Sequence, residues 1–420
     1  MPFRQLLLIS GALLLTGCGT QNQGVVSFPA SVVGKEAEVL KIQVRRFEKE
    51  NPGITVDLRK TPDASDLRHQ LYVQWLNAGA SQPDVLQLDV VWTAEFAAAG
   101  WIMPLDHFQP NVDDFFPGTI AANRWDKKLY ALPWFVDVGM LYYRTDLVSP
   151  PKTFADLTGS AEEATARSGL RYGFVWQGAR YEGLVCVFLE HLGGFGGRIL
   201  DEEGHVVVDS EEAVQALTFM RDCVAKSQIV PEAALTWKEE ETRYAFQKGE
   251  TVFLRNWPYA YHSMSDKKDS KVAGKFAVTA MPIHSPHAPL AAGKHTATLG
   301  GSQLAINANS ANAEAAYKLI EFLTRPEQML ERALMTGQYP PRRNLYDDPK
   351  LAAGLAVPPK DARRIIEGAT PRPVTPIYAE LSEILQIWLH RALTGQEEPR
   401  RALENAAAEM RRLLKKVGLD

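Results

Sequence analysis

The chain has no basic block, few cysteines and no apolar run long enough to cross a bilayer. Each lack removes a class of function. Lys and Arg number 46 against 50 Asp and Glu, a formal charge of -4. That mild acidic balance argues against a nucleic-acid partner. Three cysteines with no partnering His cluster do not read as a metal site, so neither a metal nor a cofactor is expected. The longest apolar stretch, Leu6 to Leu15, falls short of the roughly 20 residues that span a membrane. Preceded by Arg4, it reads instead as a secretory signal.

That run ends in Leu15-Thr16-Gly17-Cys18, which resembles the bacterial lipobox. The resemblance implies a lipoprotein signal peptide over residues 1–17, a lipidated Cys18, a tether over 18–24 and a place on the extracytoplasmic face of a bacterial membrane. Membrane contact is then expected through the lipid alone. The rest, about 400 residues, is enough for two domains. The other cysteines, Cys186 and Cys223, sit in apolar, helix-like stretches. In an oxidising compartment they pair or remain buried free thiols, and the sequence leaves both open.

Leu40, Val44 and Phe47 form one apolar face of a helix over Glu36 to Glu50, which Asn51-Pro52-Gly53 stops. Ile54 to Leu58 alternates like a half-buried strand, a helix follows through Leu67–Ala78, and a strand through Val85–Val90. Such alternation implies a largely parallel sheet covered by helices, an α/β fold. Lys128 to Trp134 reads as a strand broken at Pro133, with a second strand over Val138 to Tyr143. Residues 153–265 read as mostly helical. Strands are expected again at Phe276–Met281 and Ser302–Asn307, and helices at Ala313–Leu323, Leu381–Ala392 and Arg400–Lys416. There are no repeats and no long linker, so two lobes joined by several crossings fit best.

Phe174 to Gly178 followed by Tyr181 to Cys186 resembles the family-1 extracellular solute-binding proteins, nearest their trehalose/maltose-binding branch. Further blocks keep the same order: Asn51-Pro52-Gly53, Asp89 to Trp101, Leu132 to Leu147, Arg255 to Ala260, Leu299-Gly300-Gly301, Tyr339 to Arg342, and Pro371 to Gln386. The resemblance implies a type II periplasmic-binding-protein fold: two lobes of mixed sheets flanked by helices, with the ligand cleft at the hinge. Lobe 1 would hold 24–136 and 282–338, and lobe 2 would hold 137–281 and 339–420. It also implies a non-catalytic, monomeric receptor that closes on an oligosaccharide or glycoside. The receptor would deliver its ligand to ABC permease subunits served by a separate ATPase.

A neutral sugar needs carboxylates and amides to accept hydroxyl protons, arginines to donate, and aromatic faces to stack. By resemblance the candidates are Glu36 at the start of the first helix, Arg68 in the second, Trp257 as a platform, and Arg342 after the proline pair. Asp89 ends a strand, where ligands approach an open α/β sheet. Asp137 stands between Val136 and Val138 at a hinge crossing, where an acid needs a reason. Gly300 and Gly301 admit backbone close to the ligand. Phe135, Tyr259 and Ser302 are secondary candidates.

Two positions depart from the branch. A stacking tryptophan after the glycine pair is here Ser302, and a tyrosine two residues before the hinge acid is here Phe135. The ligand is therefore expected to be smaller or differently linked than maltose or trehalose, unless another aromatic such as Tyr259 substitutes. Rival readings are a glycoside-processing enzyme using Asp89 and Asp137, or a receptor for a non-sugar solute such as an oligopeptide or polyamine. The arginines tilt the choice toward a polyol. Gly293-Lys294-His295-Thr296 is not a P-loop, because His295 occupies the Ser/Thr position. Gly193 to Gly197 reads as a flexible loop.

Overall fold

The computed structural model describes residues 24–31, 35–284 and 297–418. The expected signal segment, Cys18, most of the tether, and Gly293 to Thr296 lie outside the described residues.

The chain opens with strand β1 (Gly24–Ala30), helix α1 (Glu36–Glu50) and strand β2 (Ile54–Lys60). β1 and β2 pair in parallel from Gly24–Ile54 to Ala30–Lys60. α1 buries Val39, Leu40, Val44 and Phe47, and ends where the Asn51 N–H and side-chain amide both donate to the Phe47 carbonyl at 2.9 Å. Helix α2 (Ser65–Asn77), strand β3 (Val85–Asp89) and the short helices α3 (Thr93–Ala98) and α4 (Pro117–Ala121) follow. A small hairpin, β4 (Arg124–Trp125) and β5 (Lys128–Leu129), leads into β6 (Ala131–Val138) and β7 (Met140–Arg144).

A second body follows: α5 (Phe154–Ser168), β8 (Tyr172–Val175), α6 (Glu182–Gly194), α7 (Glu211–Ala225), α8 (Glu239–Gln247), β9 (Thr251–Asn256), α9 (Ala260–Ser265) and β10 (Phe276–Thr279). The chain then returns through β11 (Leu299–Ile306), α10 (Ala313–Leu323) and α11 (Pro326–Thr336). It finishes with α12 (Pro359–Gly368), α13 (Tyr378–Leu393) and α14 (Pro399–Val417).

Among the named strands of the described residues, the parallel pairs are β1–β2 and β8–β9. The sheets β3–β11–β6 and β10–β7–β9–β8 are otherwise antiparallel, so the expected largely parallel arrangement gives way to mixed sheets. Pro133 does not break its strand, because β6 is an edge strand and proline is tolerated there. The register with β11 shifts between Ser302 and Gln303, leaving Trp134 as the extra residue of a bulge. β8 and β9, within the stretch read as mostly helical, are buried along their whole length. A short continuous apolar run carries no period that separates strand from helix. Gly193 and Gly194 belong to the last turn of α6 rather than to a loop. Cys186 and Cys223 are free and buried, and no disulfide joins them.

Two separate cores hold the bodies. One gathers Val26, Phe28, Phe47, Trp134, Leu304 and Phe322, and the other Leu141, Phe154, Trp176, Leu184, Leu389 and Met410. A third cluster takes in Val136, Val138, Leu299 and Tyr339 at the crossings together with Tyr142, Leu254 and Ile366. Val136 and Tyr339 exchange backbone hydrogen bonds at 2.8 and 3.2 Å, and Leu299 donates to the Thr370 carbonyl at 2.9 Å.

Candidate functional site

At these crossings lies a cavity of about 320 Å³. The first body contributes Glu36 from the first residue of α1, Arg68 from the first turn of α2 and Asp89 from the end of β3. Glu36 is buried; its Oε1 accepts from the Gln338 amide and lies 3.6 Å from Arg332 Nη2, while its Oε2 has no partner among the described residues. Arg68 is also buried. Its Nη1 donates to the Pro62 carbonyl at 3.3 Å, its guanidinium stands 5.4 Å from the Trp92 ring centre, and its Nε is unpartnered.

β6 and β11 supply the floor. Asp137 faces Gly300 across the ladder, and Gly301 faces Val136. A Cβ on Gly300 would come within 3.4 Å of the Trp257 ring and 3.5 Å of the Asp137 Cβ. Gly301 has φ +125°, and a Cβ there would meet the Phe135 carbonyl oxygen at 2.3 Å. These two glycines therefore let a strand edge approach the acid and the indole together. Asp137 Oδ1 is buried without a partner among the described residues. Burial first, and the neighbouring Glu36 charge second, push its carboxyl up to about 8, against the opposing pull of Arg332. That environment favours the neutral acid, which can donate as well as accept.

Behind the floor, Arg332 lies 3.9 Å from the Trp134 ring centre and 4.7 Å from that of Phe135. Burial lowers its guanidinium to about 10, although Glu36 and Asp137 oppose that shift.

The second body brings Trp257, directly after β9, with the Arg255 guanidinium 3.9 Å from its ring centre. Arg255 is itself buried and paired with Glu190, so the indole rests on a fixed cation. The Trp257 Nε1–H donates to Glu239 Oε1 at 3.4 Å, and the Tyr259 hydroxyl to Glu240 Oε1 at 2.7 Å. Burial works to raise Glu240, but the hydrogen bond and charge of Arg243 outweigh it and hold the carboxyl low. Phe135, Tyr259 and Ser302 all line the cavity, and the Ser302 hydroxyl accepts from Gln87 Nε2 at 3.0 Å.

Arg342 is the exception among the sequence candidates. After Pro340-Pro341 its backbone pairs with Phe115, and its side chain lies over the Phe115 ring. There it donates to the Thr324 carbonyl at 2.9 Å and approaches Asp114 at 3.6 Å, outside the cavity. The arginine that enters the cavity late in the chain is Arg372. It reaches Asp89 Oδ1 at 2.8 Å and Glu182 Oε1 at 2.6 Å, while the Tyr378 and Ser382 hydroxyls also donate to Glu182. Burial raises the Glu182 carboxyl, and Arg372 pulls against that rise. The signal for Arg372 was present as a lone cation between Pro371 and Pro373. Glu182, Tyr181 and Glu239 to Glu241 also line the cavity and were not singled out.

The lining acids outnumber Arg68, Lys238 and Arg372, which disfavours an anionic ligand. Amide, carboxylate, guanidinium and indole groups around one small cleft match the surface of a neutral polyol. Among the described residues, Asp201, Glu203 and His205 have metal-ligand spacing, on a turn outside the cavity.

A family model described as bacterial extracellular solute-binding protein matches residues 31–330. The chain is 35% identical to a probable ABC transporter-binding protein of Deinococcus radiodurans, over 92% of this chain and 93% of that one. It is similar to the maltose-bound MalE3 of T. maritima, with 43% identity, a TM-score of 0.87, and coverage of 93% of this chain and 100% of that one. It is also similar to the GacH receptor of Streptomyces glaucescens, described unliganded and with acarbose. That match has 25% identity, a TM-score of 0.83, and coverage of 93% and 98%.

Proposed function

The chain belongs to the bacterial extracellular solute-binding proteins, and from that premise we propose that its cleft holds a disaccharide or similar glycoside between two lobes. The protein is a carbohydrate-binding receptor of an ABC importer, works with permease and ATPase components, and is not an enzyme. Its setting is extracytoplasmic, and no helix among the described residues is long and apolar enough to cross a membrane. The finer reading is ours: a monomer, tethered through Cys18, with lobes 24–136 plus 282–338 and 137–281 plus 339–420.

One observation carries the choice of ligand. Among the described residues, Asp137 and Glu36 each keep a buried oxygen without a partner, beside a glycine-opened floor and the face of Trp257. Buried acceptors of this kind are costly unless something fills them. Ligand hydroxyls would do so, while Arg68 and Arg372 offer donors from opposite sides. The roles of Glu36, Arg68, Asp89, Asp137, Trp257, Gly300 and Gly301 extend to Arg372 and not to Arg342. Asp89 is engaged by Arg372 and Ser65, which favours a holding role over a hydrolytic partnership with Asp137.

A thermal-shift screen of the mature protein against mono- and disaccharides tests the reading. A ligand at 100 times its dissociation constant stabilises the fold by about 2.7 kcal/mol, a clear rise in Tm. No rise with any sugar, or release of monosaccharide from a bound one, would sink the proposal.

A further inference from the structure

Trp257 is half-buried: its indole edges the cavity while the Arg255 guanidinium lies behind it, 3.9 Å from the ring centre. Its main chain is pinned as well. The Tyr142 hydroxyl donates to its carbonyl at 2.8 Å, and its own N–H donates to Asn256 Oδ1 at 2.7 Å. Arg255 is wholly buried in β9 and does not line the cavity. Glu190 of α6, equally buried, grips it at two nitrogens: Arg255 Nε donates to Oε2 at 2.7 Å, and Nη2 donates to Oε1. Arg255 Nη1 donates to Gln177 Oε1 at 3.0 Å, and the Gln177 amide donates back to the Arg255 carbonyl at 3.0 Å. A planar fork held at three nitrogens is kept from turning, so it offers the indole a face of fixed plane.

The same pair meets two of the crossings. The Thr298 N–H, just ahead of β11, donates to Glu190 Oε1 at 3.4 Å, and the Thr298 hydroxyl donates to the Cys186 carbonyl of α6 at 2.9 Å. Gly139, between β6 and β7, donates its N–H to the Thr298 carbonyl at 3.4 Å. A Cβ on Gly139 would stand 1.7 Å from Glu190 Oε1 and 2.6 Å from Arg255 Nη2. Its φ is not left-handed, so space beside the ion pair, not backbone conformation, reserves this position for glycine.

A buried ion pair is seldom more stabilising than apolar side chains of like volume, so its worth here lies in what it fixes. We propose that Glu190 and Arg255 are positioning residues: they hold the plane of the Trp257 ring and tie it to the crossings at Gly139 and Thr298, which sets how well the cleft stacks on a sugar. The inference rests on the sugar-receptor reading and deepens it, since neither residue lines the cavity.

Fluorine NMR of protein grown with fluorotryptophan reads the ring directly, the Trp257 resonance being the one that Trp257→Phe removes. Arg255→Lys keeps a cation for Glu190 but replaces the planar fork with a flexible ammonium. Glu190→Gln combined with Arg255→Met removes both charges and strands neither. Both proteins are expected to melt cooperatively and to shift or broaden that resonance, as is Gly139→Ala from the crossing. Calorimetry with maltose, trehalose, cellobiose and lactose is expected to show about tenfold weaker binding of whichever sugar the wild-type protein takes. In a Trp257→Ala background, Arg255→Lys is expected to cost no further affinity. A Trp257 resonance unmoved by Arg255→Lys and by the double variant, or equal losses of affinity with and without the indole, overturns the proposal. Sugar binding by the wild-type protein in that case leaves the receptor reading standing. Binding of none of these sugars overturns the disaccharide reading, and the resonance still decides the positioning.

Discussion

Arg372 reaches Asp89 at 2.8 Å while its other terminal nitrogen holds Glu182 at 2.6 Å, so one buried cation joins the end of β3 to the start of α6. Removing it strands a buried carboxylate, which typically costs about 3–5 kcal/mol. Arg372→Met is therefore expected to lower stability by that order and to lose sugar binding. Arg342→Met, outside the cavity, is expected to cost about 1–2 kcal/mol and to leave affinity unchanged. Denaturant melts and calorimetry on the two variants would separate them, and loss of binding in Arg342→Met would contradict this geometry.

Asp137 makes the empty receptor sensitive to pH. Its folded carboxyl is raised from 3.8 to about 8, so the folded state favours the protonated form. That contribution is complete below the unfolded value and is lost as pH rises through about 8. The ligand-free Tm is expected to decline between pH 5 and 9, and Asp137→Asn to flatten that decline. A slope unchanged by the substitution would assign it to other groups.

For ligand contacts at the floor, Asp137→Ala is expected to abolish binding, whereas Glu36→Ala should only weaken it. Trp257→Ala removes the ring that rests on Arg255 and is expected to cost about 2 kcal/mol of affinity. Calorimetry at fixed pH reads all three. Equal affinity in the Asp137→Ala protein would place the ligand elsewhere.

Gly301 combines φ +125° with a Cβ position 2.3 Å from the Phe135 carbonyl. Gly301→Ala is expected to destabilise the fold by at least about 2 kcal/mol, since strain and clash coincide. A wild-type denaturation midpoint for this variant would show that β6 and β11 can part without cost.

Burial raises the Cys186 thiol well above its usual range and pushes Cys223 up to about 12. Neither should react with iodoacetamide in the native protein, both should react in denaturant, and dithiothreitol should leave Tm unmoved. Protection from alkylation in denaturant under non-reducing conditions would reveal a disulfide.

Much of the fold was legible where local rules govern. The apolar face of α1 and its Asn-Pro-Gly stop predict Glu36–Glu50, the span observed, and Ala313–Leu323 is likewise observed as α10. Tertiary facts were less legible. Pro133 is tolerated only because β6 is an edge strand, and edge position is a property of the sheet. β8 and β9, buried throughout, lack the alternation that marks a half-exposed strand. In the candidate site, Asp89 was readable from its place at a strand end and Asp137 from its place as an acid at a crossing, whereas Glu36 rested on the resemblance. The choice between Arg342 and Arg372 was not, since both follow prolines and only long-range packing decides which enters the cavity.

The placement of Arg372 also bears on how the receptor comes into being. β3 and β6 meet only through β11, so Asp89 and Asp137 take their places only once Leu299–Ile306 has joined the sheet. The arginine that pairs with Asp89 and Glu182 comes later still, in the segment just ahead of the two final long helices. Until that segment emerges, Asp89 and Glu182 lack their shared cation and the sugar site lacks one wall. A chain that stopped short of Arg372 would therefore carry a cleft with one wall missing.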